Sequence, residues 1–276
     1  MRFGLGSFVY RWAVGRDYYK PKHPMTLEQF AMRSVFLGVE GVMICNNFKL
    51  PEIPVSALHE VRQVLEQKNM FIETGARGRT PEYFISVLEA SKHIGSKLMR
   101  VVYDINRDVG QDQILWQLNE ARVCLKEVLE RARKMGITIA VENYFNMHID
   151  EIKALLQYFN DEYMGACLDT CNSVSNIEKP EYVFYSLLPY AKSVHFKDYA
   201  VEMNPRGNII KGVALGDGEV NFPNLIDLLK QHDFAGNICL ELYIDRMETE
   251  EETLQYEEQC IKKSIRYAKK IGLLNQ

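Results

Sequence analysis

Short runs of apolar residues alternate with longer segments of helical periodicity along the whole chain. The runs have the length of buried strands, and between them apolar residues recur three and four positions apart, which is typical of amphipathic helices. Strict alternation of strands and helices predicts a parallel sheet covered by helices. Eight strands are predicted, at Phe3–Phe8, Gly41–Cys45, Met70–Thr74, Leu98–Tyr103, Ile137–Glu142, Met164–Asp169, Ser193–Lys197 and Ile238–Leu242.

The residues at the ends of these elements support the same picture. Thr26 and Gln29 are spaced as a capping box, and Thr80 precedes a proline at a helix start. Gly136 stands directly before the fifth strand, as expected of a glycine that ends a helix. Eight units, without a Gly-x-Gly-x-x-Gly motif after the first strand, favour a closed (β/α)8 TIM barrel over an open nucleotide-binding sheet. We expect a single domain spanning all 276 residues.

Four consecutive late strands carry an ionisable side chain at the end where such a barrel holds its active site. The fifth strand ends in Glu142, the sixth ends in Asp169, the seventh contains His195 and the eighth reaches Glu241. Alternation along each strand turns the apolar neighbours outwards, so these four side chains should point into the barrel. Three converging carboxylates repel one another unless a cation compensates them. We therefore expect all four residues to bind one divalent metal ion.

The composition of this ligand set bears on the identity of the ion. Three oxygens and one imidazole nitrogen suit Mn²⁺, Mg²⁺, Co²⁺ or Zn²⁺, and the oxygen majority favours Mn²⁺ or Mg²⁺. One acidic residue at a strand end is usually solvated or paired with arginine, so the prediction depends on four residues in phase on adjacent strands. Small residues stand two positions before each ligand and leave room for a polar cluster: Ala140, Cys167, Ser193 and Cys239.

Several motifs follow one another in strand order: I-A-V-E-N at 139–143, C-L-D-T-C-N at 167–172, S-V-H-F-K-D at 193–198, G-D-G-E-V-N-F at 216–222 and L-E-L-Y at 240–243. Together they resemble the xylose-isomerase-like superfamily. This group includes ketose 3-epimerases, sugar-phosphate isomerases and epimerases, inosose dehydratases and endonucleases of the endonuclease-four type. The resemblance implies that Glu142, Asp169, His195 and Glu241 bind the metal, and that Glu142 and Glu241 also act as acid and base.

One position after the sixth strand departs from the epimerase pattern. Many epimerases of this group have Asp-x-x-His there, whereas this chain has Asp169 followed by Asn172. That form, together with His-x-Lys-Asp, is similar to the sugar-phosphate epimerases, and it makes Asn172 a candidate substrate contact. Lys197 is in phase with His195 and is expected either to contact a substrate oxygen or phosphate or to form a salt bridge inside the barrel. Arg206, in the long segment after the seventh strand, is a third candidate, for an oxyanion or a phosphate. The endonuclease branch needs three zinc ions and more histidines than the six present here.

Three further polar residues lie in or next to the predicted strands. Arg100 falls within the fourth strand and is expected to form a salt bridge inside the barrel. Asn143 is expected to orient Glu142, as residues behind a metal ligand commonly do. Glu73, near the end of the third predicted strand, would face either the site or solvent.

Composition limits the partners. A net charge of −4 and a pI of about 5.9 argue against nucleic-acid binding, which needs clustered lysine and arginine. No apolar run approaches the length of a membrane span. The six cysteines form no Cys-x-x-Cys pair and are expected to be reduced core thiols of a cytoplasmic protein. A homo-oligomer is compatible with the sequence.

Two kinds of reaction remain open at this point. The first is metal-dependent isomerisation or epimerisation of a small sugar or sugar phosphate, through an enediolate and two glutamates. The alternative is a metal-dependent lyase or dehydratase acting on a keto-sugar, an inosose or a glycoside. Both begin with removal of a proton next to a carbonyl, so the ligand set does not separate them. A third hypothesis, a barrel that only binds sugars, is disfavoured by the intact ligand set.

Overall fold

The computed structural model describes residues 1–275, and its central feature is a closed barrel of eight parallel strands. The ring runs from the first strand through the last and back down the sequence to the second, so the chain closes on itself. The predicted single-domain (β/α)8 barrel is confirmed. In chain order the strands are β1 (Phe3–Gly6), β2 (Gly41–Ile44), β3 (Phe71–Gly78), β4 (Leu98–Tyr103), β5 (Thr138–Glu142), β6 (Met164–Asp169), β7 (Ala191–Phe196), β8 (Asp198–Asn204), β9 (Gly207–Val213) and β10 (Asn237–Leu240), of which β8 and β9 form a separate antiparallel hairpin.

The helices contribute apolar residues to one continuous core with the outward faces of the strands. The predicted capping box at Thr26 is present, the Thr80 hydroxyl accepts a hydrogen bond from the N–H of Tyr83, and Gly136 ends a helix with φ 67°. None of the helices in residues 1–275 has the length and apolar character needed to cross a membrane. The helices are α1 (Arg11–Val14), α2 (Leu27–Phe36), α3 (Val55–Gln67), α4 (Pro81–Ile94), α5 (Gln111–Met135), α6 (Ile149–Phe159), α7 (Pro180–Leu187), α8 (Phe222–Gln231) and α9 (Glu250–Lys270).

A second, smaller apolar cluster fills the inside of the barrel. It includes Ala140, Cys167 and Cys239, which are fully buried, and the Ser193 hydroxyl also points inwards, to the carboxylate of Glu73. The predicted strand phase is therefore confirmed. Because these side chains are small, longer polar ones fit above them, toward the carboxyl ends of the strands.

The third strand is longer than its hydrophobic pattern predicts. It continues through Gly75 to Gly78, whereas the prediction ended at Thr74. The strand passes through Gly75, where the absence of a side chain leaves room for a residue of the neighbouring strand. A Cβ atom at this position would lie 3.0 Å from the guanidinium carbon of Arg100 on β4. The extension carries Arg77 to the mouth of the barrel, and it places Glu73 near the amino-terminal end of β3, away from the mouth.

Two other segments differ from the prediction. The segment after β7 was expected to be a long loop and instead forms the hairpin of β8 and β9. The first strand ends at Gly6 rather than at Phe8 and turns into a short 3-10 helix over Ser7–Tyr10. A Cβ atom at Gly6 would lie 2.9 Å from the Cγ of Glu241. The end of β1 is therefore open to the neighbouring carboxylate only because residue 6 is a glycine.

Candidate metal centre

The carboxyl ends of four adjacent barrel strands bring together Glu142, Asp169, His195 and Glu241. Glu142 and Asp169 are the last residues of β5 and β6, His195 is the last but one of β7, and Glu241 directly follows β10. All four are buried, and one potential ligand atom of each lies within 4.8 Å of those of the others. The four residues singled out in the sequence therefore form one compact group, here termed the ligand cluster.

The imidazole of His195 faces the three carboxylates of the cluster. Its Nδ1 atom lies 3.6 Å from Glu142 Oε1, 3.8 Å from Asp169 Oδ2 and 3.5 Å from Glu241 Oε1. Within residues 1–275 this nitrogen is buried and has no hydrogen-bond partner. A buried nitrogen without a hydrogen bond is costly in a protein interior. Together, this nitrogen and the three carboxylate oxygens are the set of ligand atoms typical of a divalent-cation site. The residues present thus fit such an ion.

Two buried cations share the site with the ligand cluster. The Lys197 ammonium lies 2.8 Å from Asp169 Oδ2 and 3.0 Å from Glu241 Oε2. Arg100 Nε lies 3.1 Å from Glu142 Oε2, in the space that Gly75 leaves open, so the predicted interior salt bridge of Arg100 is confirmed. These cations offset part of the negative charge that would otherwise make burial of three carboxylates prohibitive.

The charges in the cluster move the pKa values of its members in different directions. Burial alone would raise the pKa of Glu142, but Arg100, His195 and Lys197 outweigh it and hold the pKa well below its usual value. Burial is likewise outweighed at Glu241, whose pKa is lowered by the charges of His195 and Lys197. At Asp169 burial prevails and the pKa is raised, although Lys197 opposes the rise. The two glutamates are therefore the members most readily ionised.

The lysine holds its proton in the same site. Burial would lower the pKa of Lys197, but the charges of Asp169, Glu241 and Glu142 raise it well above its usual value. The pKa of His195 is also raised, because Glu241 and Glu142 outweigh its burial. The ammonium is thus a stable hydrogen-bond donor next to the two glutamates.

Two asparagines hold the cluster in place, and they do so differently from what the sequence suggested. Asn172 Nδ2 donates a hydrogen bond to Glu142 Oε1 at 2.8 Å, and its Oδ1 accepts one from Lys197 Nζ at 3.3 Å. Asn143 was expected to orient Glu142, and this was wrong. Its side chain instead donates to the carbonyl of Asp169 at 2.9 Å and accepts from the Asp169 N–H at 2.6 Å, because it points across to β6.

A cavity of about 270 Å³ opens at the mouth of the barrel, beside the ligand cluster. Glu142 and Glu241 line it, together with Asn172 and Lys197, whereas Asp169 and His195 are not among its lining residues. The two glutamates are therefore both members of the cluster and able to touch a molecule in the cavity. Arg206, in contrast, is exposed at the turn of the β8–β9 hairpin, where its N–H donates to Asn204 Oδ1. It is not among the cavity residues, and its part in substrate binding stays a prediction.

The cavity also contains cationic residues that the sequence reasoning missed. Arg11 and Arg16, shortly after β1, and Arg77, on the extension of β3, all line it. The available signal was the pair of arginines within six residues of each other in an aromatic segment directly after the first strand. No periodic pattern marks such residues, because they lie in a loop.

Comparison with known families agrees with this architecture. The model of the family described as xylose isomerase-like TIM barrel matches residues 37–271, which is most of the chain. The protein therefore belongs to this family of barrels.

Individual relatives are more distant. The chain is 21% identical over 270 residues to the 3-oxo-isoapionate decarboxylase of Pectobacterium atrosepticum, covering 97% of this chain and 94% of that one. Its fold resembles that of a D-psicose 3-epimerase crystallised in the presence of D-fructose, with a TM-score of 0.74, 10% identity and coverage of 99% and 100%. It also resembles a barrel protein of Mycobacterium smegmatis in complex with magnesium, with a TM-score of 0.66, 14% identity and coverage of 96% and 97%. At these identities the two structures bear on the fold alone.

Proposed function

We propose that this protein is a divalent-metal-dependent isomerase or epimerase of a small sugar or sugar phosphate, in which Glu142 and Glu241 move a proton. One observation carries the proposal. Of the four residues in the ligand cluster, these two glutamates line the cavity, and they stand on strands separated by β6 and β7. A substrate in the cavity is thus within reach of two carboxylates at different points of the barrel mouth.

The residues that would hold the metal ion are Glu142, Asp169, His195 and Glu241. When bound there, a divalent ion supplies Lewis-acid polarisation of a substrate carbonyl and stabilises negative charge on its oxygen. Manganese is the ion expected from the ligand set, and magnesium, cobalt and zinc have compatible ligand preferences.

The two glutamates divide the proton transfer between them. One, ionised, takes the proton from the carbon next to the carbonyl, and the bonding electron pair moves toward the carbonyl oxygen to give an enediolate. The other returns a proton, to the opposite face for epimerisation or to the neighbouring carbon for isomerisation. That proton is taken up from solvent. Lys197, whose ammonium is 3.0 Å from Glu241 Oε2, keeps its own proton and holds the glutamate by a hydrogen bond. Asn172 keeps Glu142 in position by its hydrogen bond to Oε1.

Isotope exchange tests this route. The manganese-loaded protein is screened for turnover of ketoses and their phosphates, and the active reaction is repeated in D₂O. Proton transfer by carboxylates predicts solvent deuterium at the reacting carbon of the product. A product without solvent-derived label, at several extents of conversion, would contradict the glutamate pair and favour a hydride shift.

A second candidate is decarboxylation of a 3-oxo sugar acid, a form of the lyase alternative. It is favoured by the relative named as a 3-oxo-isoapionate decarboxylase and by the arginines in the cavity. In this reaction the bond between the carboxylate carbon and its neighbour breaks, carbon dioxide leaves, and the electron pair moves toward the same polarised carbonyl. One of the two glutamates then delivers to the carbon a proton taken up from solvent. Product analysis separates the candidates, because an isomerase conserves the mass of its substrate and a decarboxylase releases carbon dioxide.

The proposed function comes with expectations about the compartment, the substrate and the oligomeric state. All six cysteines are free thiols in the structure, five of them buried, as expected for a protein of the cytoplasm. The substrate is expected to be a small sugar-like molecule, and a homo-oligomer is compatible with the barrel.

A further inference from the structure

The cavity beside the ligand cluster has an excess of positive charge. Five cationic side chains line it, against the two carboxylates of Glu142 and Glu241. Three of the five have acidic partners within salt-bridge distance: Arg100 with Glu142, Lys197 with the cluster, and Arg77 with Asp104 at 2.7 Å. The other two, Arg11 and Arg16, have no carboxylate within 4.0 Å among residues 1–275. They are the unexplained charges of the cavity.

Arg11 is the sharper case because it is almost completely buried, with 3% of its surface exposed. Its Nε atom has no hydrogen-bond partner within the described chain, and its Nη2 atom has only a long contact of 3.4 Å to the Tyr18 hydroxyl. The guanidinium lies over the ring of Tyr243 at 4.0 Å and beside that of Trp12 at 4.9 Å. Stacking of this kind uses the flat faces of the group and leaves the N–H edges unsatisfied.

The carboxyl group that α9 places against α1 does not supply the missing partner. Glu257 on α9 accepts the backbone N–H groups of Trp12 at 2.7 Å and of Ala13 at 3.0 Å. Burial raises the pKa of Glu257 to about 8, although these two hydrogen bonds and the charge of Arg11 oppose the rise. Its carboxyl group therefore does not provide a full counter-charge near neutral pH.

Arg16 lines the same cavity and contacts the same tyrosine, Tyr18, as Arg11 does. Its guanidinium carbon lies 5.2 Å from the centre of the Phe8 ring and 5.7 Å from that of Tyr18, and it is half-buried. Two stacked guanidinium groups with free N–H edges match the planar, two-pronged hydrogen bonding of a carboxylate or phosphate. A bound divalent ion in the cluster would make the cavity more positive still.

We propose that Arg11 and Arg16 bind an anionic group of the substrate, a carboxylate or a phosphate, so that the protein acts on sugar acids or sugar phosphates in preference to neutral sugars. This inference rests on the proposed function for the location of the reacting centre, but anion binding itself does not require turnover. Burial of an unpaired guanidinium is costly in the free protein, and an oxyanion that reaches its N–H edges removes that cost.

Equilibrium binding to the metal-loaded protein tests the proposal with probes that have no carbonyl to react. D-gluconate and D-glucitol 6-phosphate carry the two anionic groups, and D-glucitol is the neutral counterpart. The protein should bind at least one of the anions about ten- to a hundredfold more tightly than D-glucitol, as expected of charge-assisted hydrogen bonds. The anion that binds more tightly identifies the group, carboxylate or phosphate, for which the pair is built.

Matched variants then assign the effect. Arg11→Gln should remove most of the preference for the anion and leave D-glucitol binding unchanged, and Arg16→Gln should reduce it less. The control is Arg246→Gln, an exposed arginine that lies over the ring of Tyr19 outside the cavity and should leave all affinities unchanged. Because Arg11 is buried, the half-buried Arg16 carries the test if the first variant does not fold.

Two results would overturn the inference: equal affinity of the parent protein for charged and neutral probes, or an anion preference that persists in the folded arginine variants. Failure of the proposed function is a separate outcome. A protein that loses anion binding in these variants, yet turns over no ketose or sugar acid, would refute the proposed reaction and leave the anion site standing.

Discussion

Buried carboxylates occur at both ends of the barrel interior, and the two ends treat them differently. At the amino-terminal end of the barrel interior, here termed the floor, Glu73 accepts a hydrogen bond from Ser193 Oγ at 2.7 Å and another from Asn237 Nδ2 at 2.8 Å. Its partners are neutral, each carboxylate oxygen has its own donor, and burial raises its pKa although both hydrogen bonds oppose the rise. At the mouth, three carboxylates converge on the imidazole of His195, and Arg100 and Lys197 form salt bridges with them. The pKa values of Glu142 and Glu241 are lowered there.

The difference separates a structural carboxyl group from a functional one. A single buried carboxyl that neutral donors satisfy, and that can keep its proton, needs no ion. At the mouth, by contrast, carboxylates converge on a histidine nitrogen that has no hydrogen bond, and these atoms together can bind a cation. The mouth is therefore the end where a cation and a substrate are expected, and the floor serves as an internal control.

The largest expected effect is on catalysis at the mouth. Glu142→Gln or Glu241→Gln should lower kcat by about 10² to 10⁴, the usual contribution of general acid–base catalysis. Glu73→Gln, an equally buried change at the floor, should leave kcat within a small factor of the parent value. Steady-state kinetics on the substrate found by screening measures all three. Equal losses at Glu73 and Glu241 would mean that burial, and not position at the mouth, accounts for the effect.

A smaller effect is expected from the amides that hold each carboxylate. Asn172→Ala removes the hydrogen bond to Glu142 Oε1 and the contact to Lys197, and should reduce metal affinity or activity about ten- to a hundredfold, as is typical of groups behind a metal ligand. Asn237→Ala removes the matching hydrogen bond to Glu73 and should affect unfolding more than turnover. Metal titration and thermal unfolding of both variants check this. A loss of metal affinity as large in Asn237→Ala would contradict the division between the two ends.

The smallest effect concerns the pH dependence of stability at the floor. Because the folded-state pKa of Glu73 is raised above its usual value of 4.5, the folded protein holds that proton more tightly than the unfolded chain does. Its contribution to stability is then complete below pH 4.5 and declines as the pH rises toward the folded-state pKa. Glutamine resembles the protonated carboxyl, so Glu73→Gln should be relatively more stable, compared with the parent, at pH 7 than at pH 4.5. Denaturant unfolding at the two pH values measures this, and a relative stability that does not change with pH would show that Glu73 keeps its ordinary pKa.

The barrel and the ligand cluster could be predicted because both depend on residue type and strand phase. Alternation alone placed Ala140, Cys167 and Cys239 inside the barrel, and the ligands follow them by two residues at the strand ends. Parallel strands of one barrel end at the same edge, so side chains distant in sequence meet there without any knowledge of their distances.

The features that could not be predicted depend on contacts between residues that are distant in sequence. The predicted third strand ends at Thr74, because the apolar pattern does not show that Gly75 makes room for the guanidinium of Arg100 on the neighbouring strand. The observed strand continues to Gly78, which places Arg77 at the mouth and Glu73 at the floor. Asn143 bonds to Asp169 on the next strand because of the register between β5 and β6. Arg11 lies in a loop, where a sequence pattern gives no direction to the side chain.

Metal content is the most direct test of the difference between mouth and floor. Elemental analysis of protein dialysed against Mn²⁺ and freed of excess should give one ion per chain in the parent and in Glu73→Gln. His195→Ala and Asp169→Asn should have strongly reduced occupancy, because each removes a ligand from the cluster. Unchanged occupancy in both ligand variants, or equal loss in Glu73→Gln, would contradict the assignment of the metal to the mouth of the barrel.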